Sequence, residues 1–103
     1  MDDILLYGLV AQSRNPGEWA FSKDVLSVEP YGIMLRKDDV AFKKVVDAAM
    51  TGLYKSGQIH AIYEKWFLKP IPPKGINLNV PMSEQFRRVV ANPTDSGDPA
   101  AYK

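Results

Sequence analysis

The apolar residues come in blocks, and their spacing changes from block to block. Leu5, Leu6, Leu9 and Val10 fall at helical intervals and predict a helix from Asp2 to about Ser13. Asp2 or Asp3 can cap it, since a carboxylate accepts the unpaired N–H groups of a first turn and suits the positive end of the dipole. "RNPGEW" ends it with turn residues. Trp19–Ser27 and Tyr31–Arg36 read as extended runs, parted at Glu29-Pro30. The second contains "YGIML", nearly continuous apolar sequence, as in a strand covered on both faces of an α/β sheet. Pro30 and Gly32 mark a change of direction or a close approach of backbones.

The next block has the clearest helical period. Asp38 or Asp39 caps it; Phe42, Val45, Val46, Ala49 and Leu53 form one stripe, with Lys44, Asp47, Thr51 and Lys55 opposite. Gly57 can end this helix in the left-handed conformation, and Ser56 can cap a following helix from Gln58 to about Leu68. In that helix Ile59, Ile62, Tyr63, Trp66 and Phe67 share a face. "LKPIPPKGINLNVP" reads as an extended surface stretch, because its prolines exclude helix. Ser83 caps a short last helix with Met82, Phe86, Val89 and Val90 on its apolar side. The closing "NPTDSGDPAAYK" is small and polar, and loose order is expected. Helices outnumber strands, and a strand buried on both faces needs neighbours that this pattern does not supply. The pattern therefore predicts an α/β fold that is incomplete by itself.

Composition narrows the chemistry. The chain has 103 residues, 46% hydrophobic and 24% charged, an ordinary balance for one small domain or a piece of a larger one. A formal net charge of +1 argues against nucleic acid as a partner. The absence of Cys removes disulfides, thiol nucleophiles and zinc-thiolate sites. The first residues are acidic, so no signal peptide is expected in this chain, and no apolar run approaches the ~18 residues of a spanning helix.

Several side chains invite a catalytic or binding reading, and most have a plainer one. His60 and Glu64 are one turn apart; the plainer reading is a surface pair on a one-sided helix. Lys43-Lys44, Arg36-Lys37 and Arg87-Arg88 read as solvated faces with acids close by. Tyr63, Trp66 and Phe67 read as core rather than as a ligand platform, and "IPPK" as a rigid connector rather than a polyproline ligand. No phosphate-loop or dinucleotide spacing occurs. No metal, cofactor or catalytic residue is called for. Asp2 and Asp3 are different, since two acids stand at one helix start. One can cap; the other can project into a cleft and meet a cationic group such as an ammonium.

The combination "DD" before an apolar helix, then "EPYGIMLRKDDVAFKKVVDAAM", then "SGQIHAIYEKWF", resembles the C-terminal part of periplasmic solute-binding proteins of amino-acid ABC transporters. The closing "KPIPPKGINLNVPMS" is similar to the glutamate/aspartate-binding subgroup, and the match runs from Asp2 to about Asn92. The resemblance implies part of a type II periplasmic-binding fold, two α/β lobes joined by crossing strands. Residues 1–28 would end lobe 2, 29–32 would be the hinge crossing with Pro30, Tyr31 and Gly32, 33–91 would be the C-terminal part of lobe 1, and 92–103 a flexible tail. It implies that Asp2 binds the ligand's α-ammonium, that Asp3 caps the helix, and that Met1 lines the cleft. It implies an acidic amino acid as ligand, a membrane permease as partner and a periplasmic location for the parent protein. The groups that hold the ligand's α-carboxylate in that family lie in a portion that this chain does not contain.

Three readings of function follow. The first is a fragment of an acidic-amino-acid receptor that lacks a complete ligand site. The second is an interaction-only or self-associating product. The third is an enzyme on the same fold, which the residues support least, because no acid–base pair is evident beyond the adjacent Asp2 and Asp3.

Overall fold

The computed structural model describes all residues, Met1–Lys103. Its elements are helices: α1 (Asp3–Ala11), α2 (Val40–Lys55), α3 (Gln58–Phe67) and α4 (Glu84–Ala91), with 3-10 turns at Pro16–Glu18 and Pro99–Tyr102. The caps follow the local chemistry. Asp39 accepts from the Phe42 N–H at 3.0 Å and starts α2. Gly57, at φ 81°, breaks the chain between α2 and α3 in the left-handed region, where a side chain would be strained. It also takes the N-cap position of α3, while the Ser56 hydroxyl accepts from Gln58 N–H at 3.4 Å. Ser83 accepts from the Phe86 N–H at 3.1 Å and starts α4.

α2, α3 and α4 pack together, and α4 also meets the last 3-10 turn. Tyr63 and Phe67 of α3 lie 4.6 Å apart, Phe86 of α4 is 6.0 Å from Tyr63, and Tyr54 of α2 meets Phe86 edge-on at 6.4 Å. The segment before α4 is tied to this cluster. Val80 N–H donates to the Phe67 carbonyl at 3.0 Å, and the Tyr63 hydroxyl donates to the Val80 carbonyl at 2.9 Å. Beside it the tyrosine's ionisation is pushed up, first by burial and then by the charges of Asp3 and Tyr7.

The core ends there. Only Val80 and Val90 are buried. The chain exposes 8478 Å², where a compact protein of this size exposes roughly 5,800 Å². The radius of gyration is 15.9 Å, against about 13 Å for a compact domain of similar length. The α2 stripe is split. Val46 and Leu53 turn toward the cluster, while Phe42, Val45 and Ala49 face water. On α3, Ile59, Tyr63 and Phe67 are half-buried, whereas Ile62 and Trp66 are exposed. α1 is apolar nearly all round, a composition suited to full burial, yet Leu5 and Leu9 are 55% and 58% exposed.

Neither expected strand forms. Trp19–Ser27 and Tyr31–Arg36 have no ladder, and the first bends at Lys23 and Leu26. Ile33 and Met34 stand 63% and 95% exposed, and Phe21 instead stacks on Tyr7 of α1 at 4.1 Å. A strand needs a partner for its N–H and C=O groups, and here water takes that place. The proline stretch is also not extended throughout. Ile71 and Ile76 pair across a reverse turn, closed by Ile71 N–H to the Ile76 carbonyl at 3.0 Å and by Gly75 N–H to the Ile71 carbonyl at 2.8 Å. Gly75 makes this possible at φ 71°. The polar tail, read from composition as loose, carries the 3-10 turn Pro99–Tyr102, capped by Asp98 through the Ala100 N–H at 2.9 Å. Tyr102 donates from its hydroxyl to the Ser96 carbonyl.

Phe86 is the hinge pin of the aromatic cluster. Phe86→Ala is expected to destabilise the α2–α4 unit by about 2 kcal/mol, less than the roughly 3–5 kcal/mol of a buried aromatic truncation because the ring is only half-buried. Amide exchange should then speed up about thirtyfold in α3 and α4 and stay unchanged in α1.

Candidate functional site

The start of α1 determines what its two acids can do. Asp2 occupies the N-cap position, with φ −60° and ψ 142°, and its carbonyl accepts from the Leu6 N–H at 3.2 Å. Its carboxylate makes no capping bond. Oδ2 instead accepts the hydroxyl of Tyr31. Asp3 is the first helical residue, and its Oδ1 accepts from the Ile4 N–H at 2.8 Å. The expected cap therefore moves by one residue: Asp2 holds the cap position, and Asp3 sits in the first turn. Both negative charges remain at the favourable end of the helix dipole.

Tyr31 shares this site. Its hydroxyl is pushed up from the ordinary value, first by the hydrogen bond to Asp2, then by desolvation and by the charges of Asp2 and Asp3. The other residues expected here contribute less. Met1 is exposed, and Gly32 stands in open space outside the left-handed region. Pro30 is half-buried. Arg14, Arg36, Arg87 and Arg88 form no ion pair with Asp2 or Asp3; the one arginine bridge runs from Arg88 to Glu84 at 4.0 Å. The site thus offers a hydrogen-bonded carboxylate to a cation and no paired donor to an anion. No group of His, Cys, Asp and Glu could hold a metal ion.

Elsewhere the charged pairs are surface contacts. Glu64 meets Lys69 at 3.2 Å and makes no hydrogen bond to His60. Lys43 bridges Asp47 at 2.7 Å and Asp95 at 2.6 Å, the second contact tying the tail to α2 across 52 residues. Sequence reading misses this clamp and the Asp2–Tyr31 bond for the same reason: each joins residues far apart in the chain, and no spacing rule signals it.

No protein-family model matches the chain. Over 95 residues, 92% of its length, it is 55% identical to an L-glutamate/L-aspartate-binding protein of Pseudomonas aeruginosa and covers 32% of that protein. It is 40% identical over 95 residues to a glutamate/aspartate import solute-binding protein of Escherichia coli, again covering 32% of it. The chain is a homologue of solute-binding proteins. It spans about a third of the length of these curated relatives. A glutamine-binding ABC transporter protein of Bacillus subtilis is more distant, 29% identical over 65 residues. These homologues are named for binding and import, not for catalysis. No helix is long and apolar enough to cross a membrane.

The Lys43–Asp95 clamp has a defined pH window. The hydrogen bond and charge of Lys43 hold the Asp95 carboxyl below its usual 3.8, and Lys43 is held above its usual 10.5 first by its hydrogen bond to Asp47 and then by that to Asp95. The clamp is therefore complete above pH 3.8 and is lost as pH falls through the lowered Asp95 value; at the other end it is complete below pH 10.5 and is lost as pH rises through the Lys43 value. Carboxyl titration by NMR should place Asp95 below 3.8 in the wild type and raise it back toward 3.8 in Lys43→Met. Because both groups are exposed, salt well above 0.15 M should shrink the difference.

Proposed function

We propose that this chain is the C-terminal part of the substrate-binding component of an ABC importer for acidic amino acids. The 55% identity to an L-glutamate/L-aspartate-binding protein over nearly the whole chain carries this reading. The weaker and shorter likeness to a glutamine-binding protein supports an acidic ligand over its amide. In this reading residues 1–28 end lobe 2, 29–32 are the hinge crossing, 33–91 are the C-terminal part of lobe 1 and 92–103 form a terminal tail. The complete protein works in the periplasm and delivers its ligand to a membrane permease.

Asp2 receives the α-ammonium of the ligand, with Met1 beside it on the cleft wall. Closure around the ligand removes water and strengthens the ion pair, while desolvation offsets part of the gain. Pro30, Tyr31 and Gly32 take up the change of angle between lobes. An amino acid is a zwitterion, and Asp2 serves only its positive end. The 103-residue chain is therefore a partial site. The exposed faces of α1 and α2 support the same reading, since apolar helices of this kind need a covering sheet.

Self-association is the second reading, favoured by the unpaired run Tyr31–Arg36 with Ile33 and Met34 in water. Calorimetry and size-exclusion chromatography separate the two. The receptor-length protein should bind glutamate at micromolar concentration or tighter, and the isolated chain should give no heat of binding up to millimolar ligand. Micromolar binding by a monomer of this chain would overturn the partial-site reading. A concentration-dependent dimer that binds no ligand supports the self-association reading.

A further inference from the structure

The Asp2 carboxylate has two oxygens and one partner. Oδ2 accepts the Tyr31 hydroxyl, while the side chain makes no capping bond and no ion pair. A carboxylate at the mouth of a helix rotates about its χ torsions, and a ligand that captures it must also stop that rotation. A phenol bound to one oxygen stops it beforehand. It leaves the lone pairs of Oδ1 available.

We infer that Tyr31 is a positioning residue for the ammonium site, holding Asp2 by Oδ2 so that Oδ1 meets a primary ammonium. The inference rests on the assignment of Asp2 to the ligand's ammonium made under Proposed function, and it adds a residue and a role to that site. The bond is charge-assisted, with a neutral donor and an ionised acceptor, so it survives partial exposure better than a neutral pair. Its direction also leaves the carboxylate's charge intact. A lysine or arginine in the same place would neutralise Asp2 and compete with the ligand, whereas a phenol orients the group and adds no cation.

The position of Tyr31 gives the bond a second consequence. Tyr31 follows Pro30 in the segment assigned to the hinge crossing, 29 residues from Asp2. One hydrogen bond therefore joins the ligand's anchor to the segment that changes angle on closure. A hinge angle that breaks the bond releases the carboxylate, and a bound ammonium favours the angle that keeps it. Ligand capture and lobe closure then share one group, and the coupling is no larger than the worth of that bond.

A double-mutant cycle in the receptor-length protein tests this, with glutamate affinity read by calorimetry and melting temperature read alongside. Tyr31 is largely exposed, so Tyr31→Phe should leave the melting temperature unchanged. Tyr31→Phe should weaken glutamate about fivefold, the cost of immobilising one freed carboxylate side chain on binding. Asp2→Asn should weaken it about a hundredfold or more. In Asp2→Asn the added Tyr31→Phe change should cost less than about twofold, because the phenol acts only through the carboxylate. If Asp2→Asn binds as well as the wild type, the assignment of Asp2 itself is wrong. If Asp2→Asn weakens binding and Tyr31→Phe does not, only the role of Tyr31 is wrong. If the two losses multiply in the double variant, Tyr31 acts independently of Asp2, and the positioning role is overturned.

Discussion

An unmet demand for apolar burial governs this molecule. Helix α1 is apolar on nearly every side, and α2 and α3 each carry an apolar face that their mutual contact covers only in part. Burial of such surface is the main favourable term in folding, worth about 25 cal/mol per Å². Here only Val80 and Val90 are buried, and each keeps a little exposure. The aromatic cluster of Tyr54, Tyr63, Phe67 and Phe86 organises α2, α3 and α4, and the Val80 backbone locks the preceding segment onto it. Beyond that cluster the elements turn apolar sides outward. A sheet laid against Phe42, Val45 and Ala49 would satisfy α2.

The same incompleteness shapes the site. A receptor for a free amino acid must satisfy a positive and a negative end within one cleft. On the function proposed above, Asp2 held by Tyr31 serves the positive end of such a ligand, and no arginine or lysine pairs with the acids at the start of α1. The relatives, about three times as long as the matched segment, have chain enough for the other half. The two-lobed fold proposed above distributes its ligand contacts in this way. Any single stretch of sequence then carries only the contacts of its own wall.

What sequence could reveal divides along the range of the interactions. The helices were legible because caps and periodicity are local: Asp39, Gly57 and Ser83 act within one turn of where they stand. The start of α1 was legible to within one residue, with Asp2 and Asp3 exchanging the expected cap position. The strands were not, because "YGIML" reports a preference for being covered and not the presence of a cover. The turn at Ile71–Ile76 was hidden behind prolines that exclude helix equally in extended and reversed chain. Asp2 stood out from the sequence as a spare charge, but its partner Tyr31 did not, since a single hydroxyl 29 residues away carries no local signal.

The central claim is that these elements belong to a larger folding unit. Differential scanning calorimetry of the dilute 103-residue chain tests it most directly. A self-sufficient domain of about 100 residues absorbs about 60–80 kcal/mol in one sharp transition. The account predicts a broad transition with a small fraction of that enthalpy, arising from the α2–α4 cluster alone. A sharp two-state melt with the full enthalpy, from a chain shown to be monomeric, would contradict it.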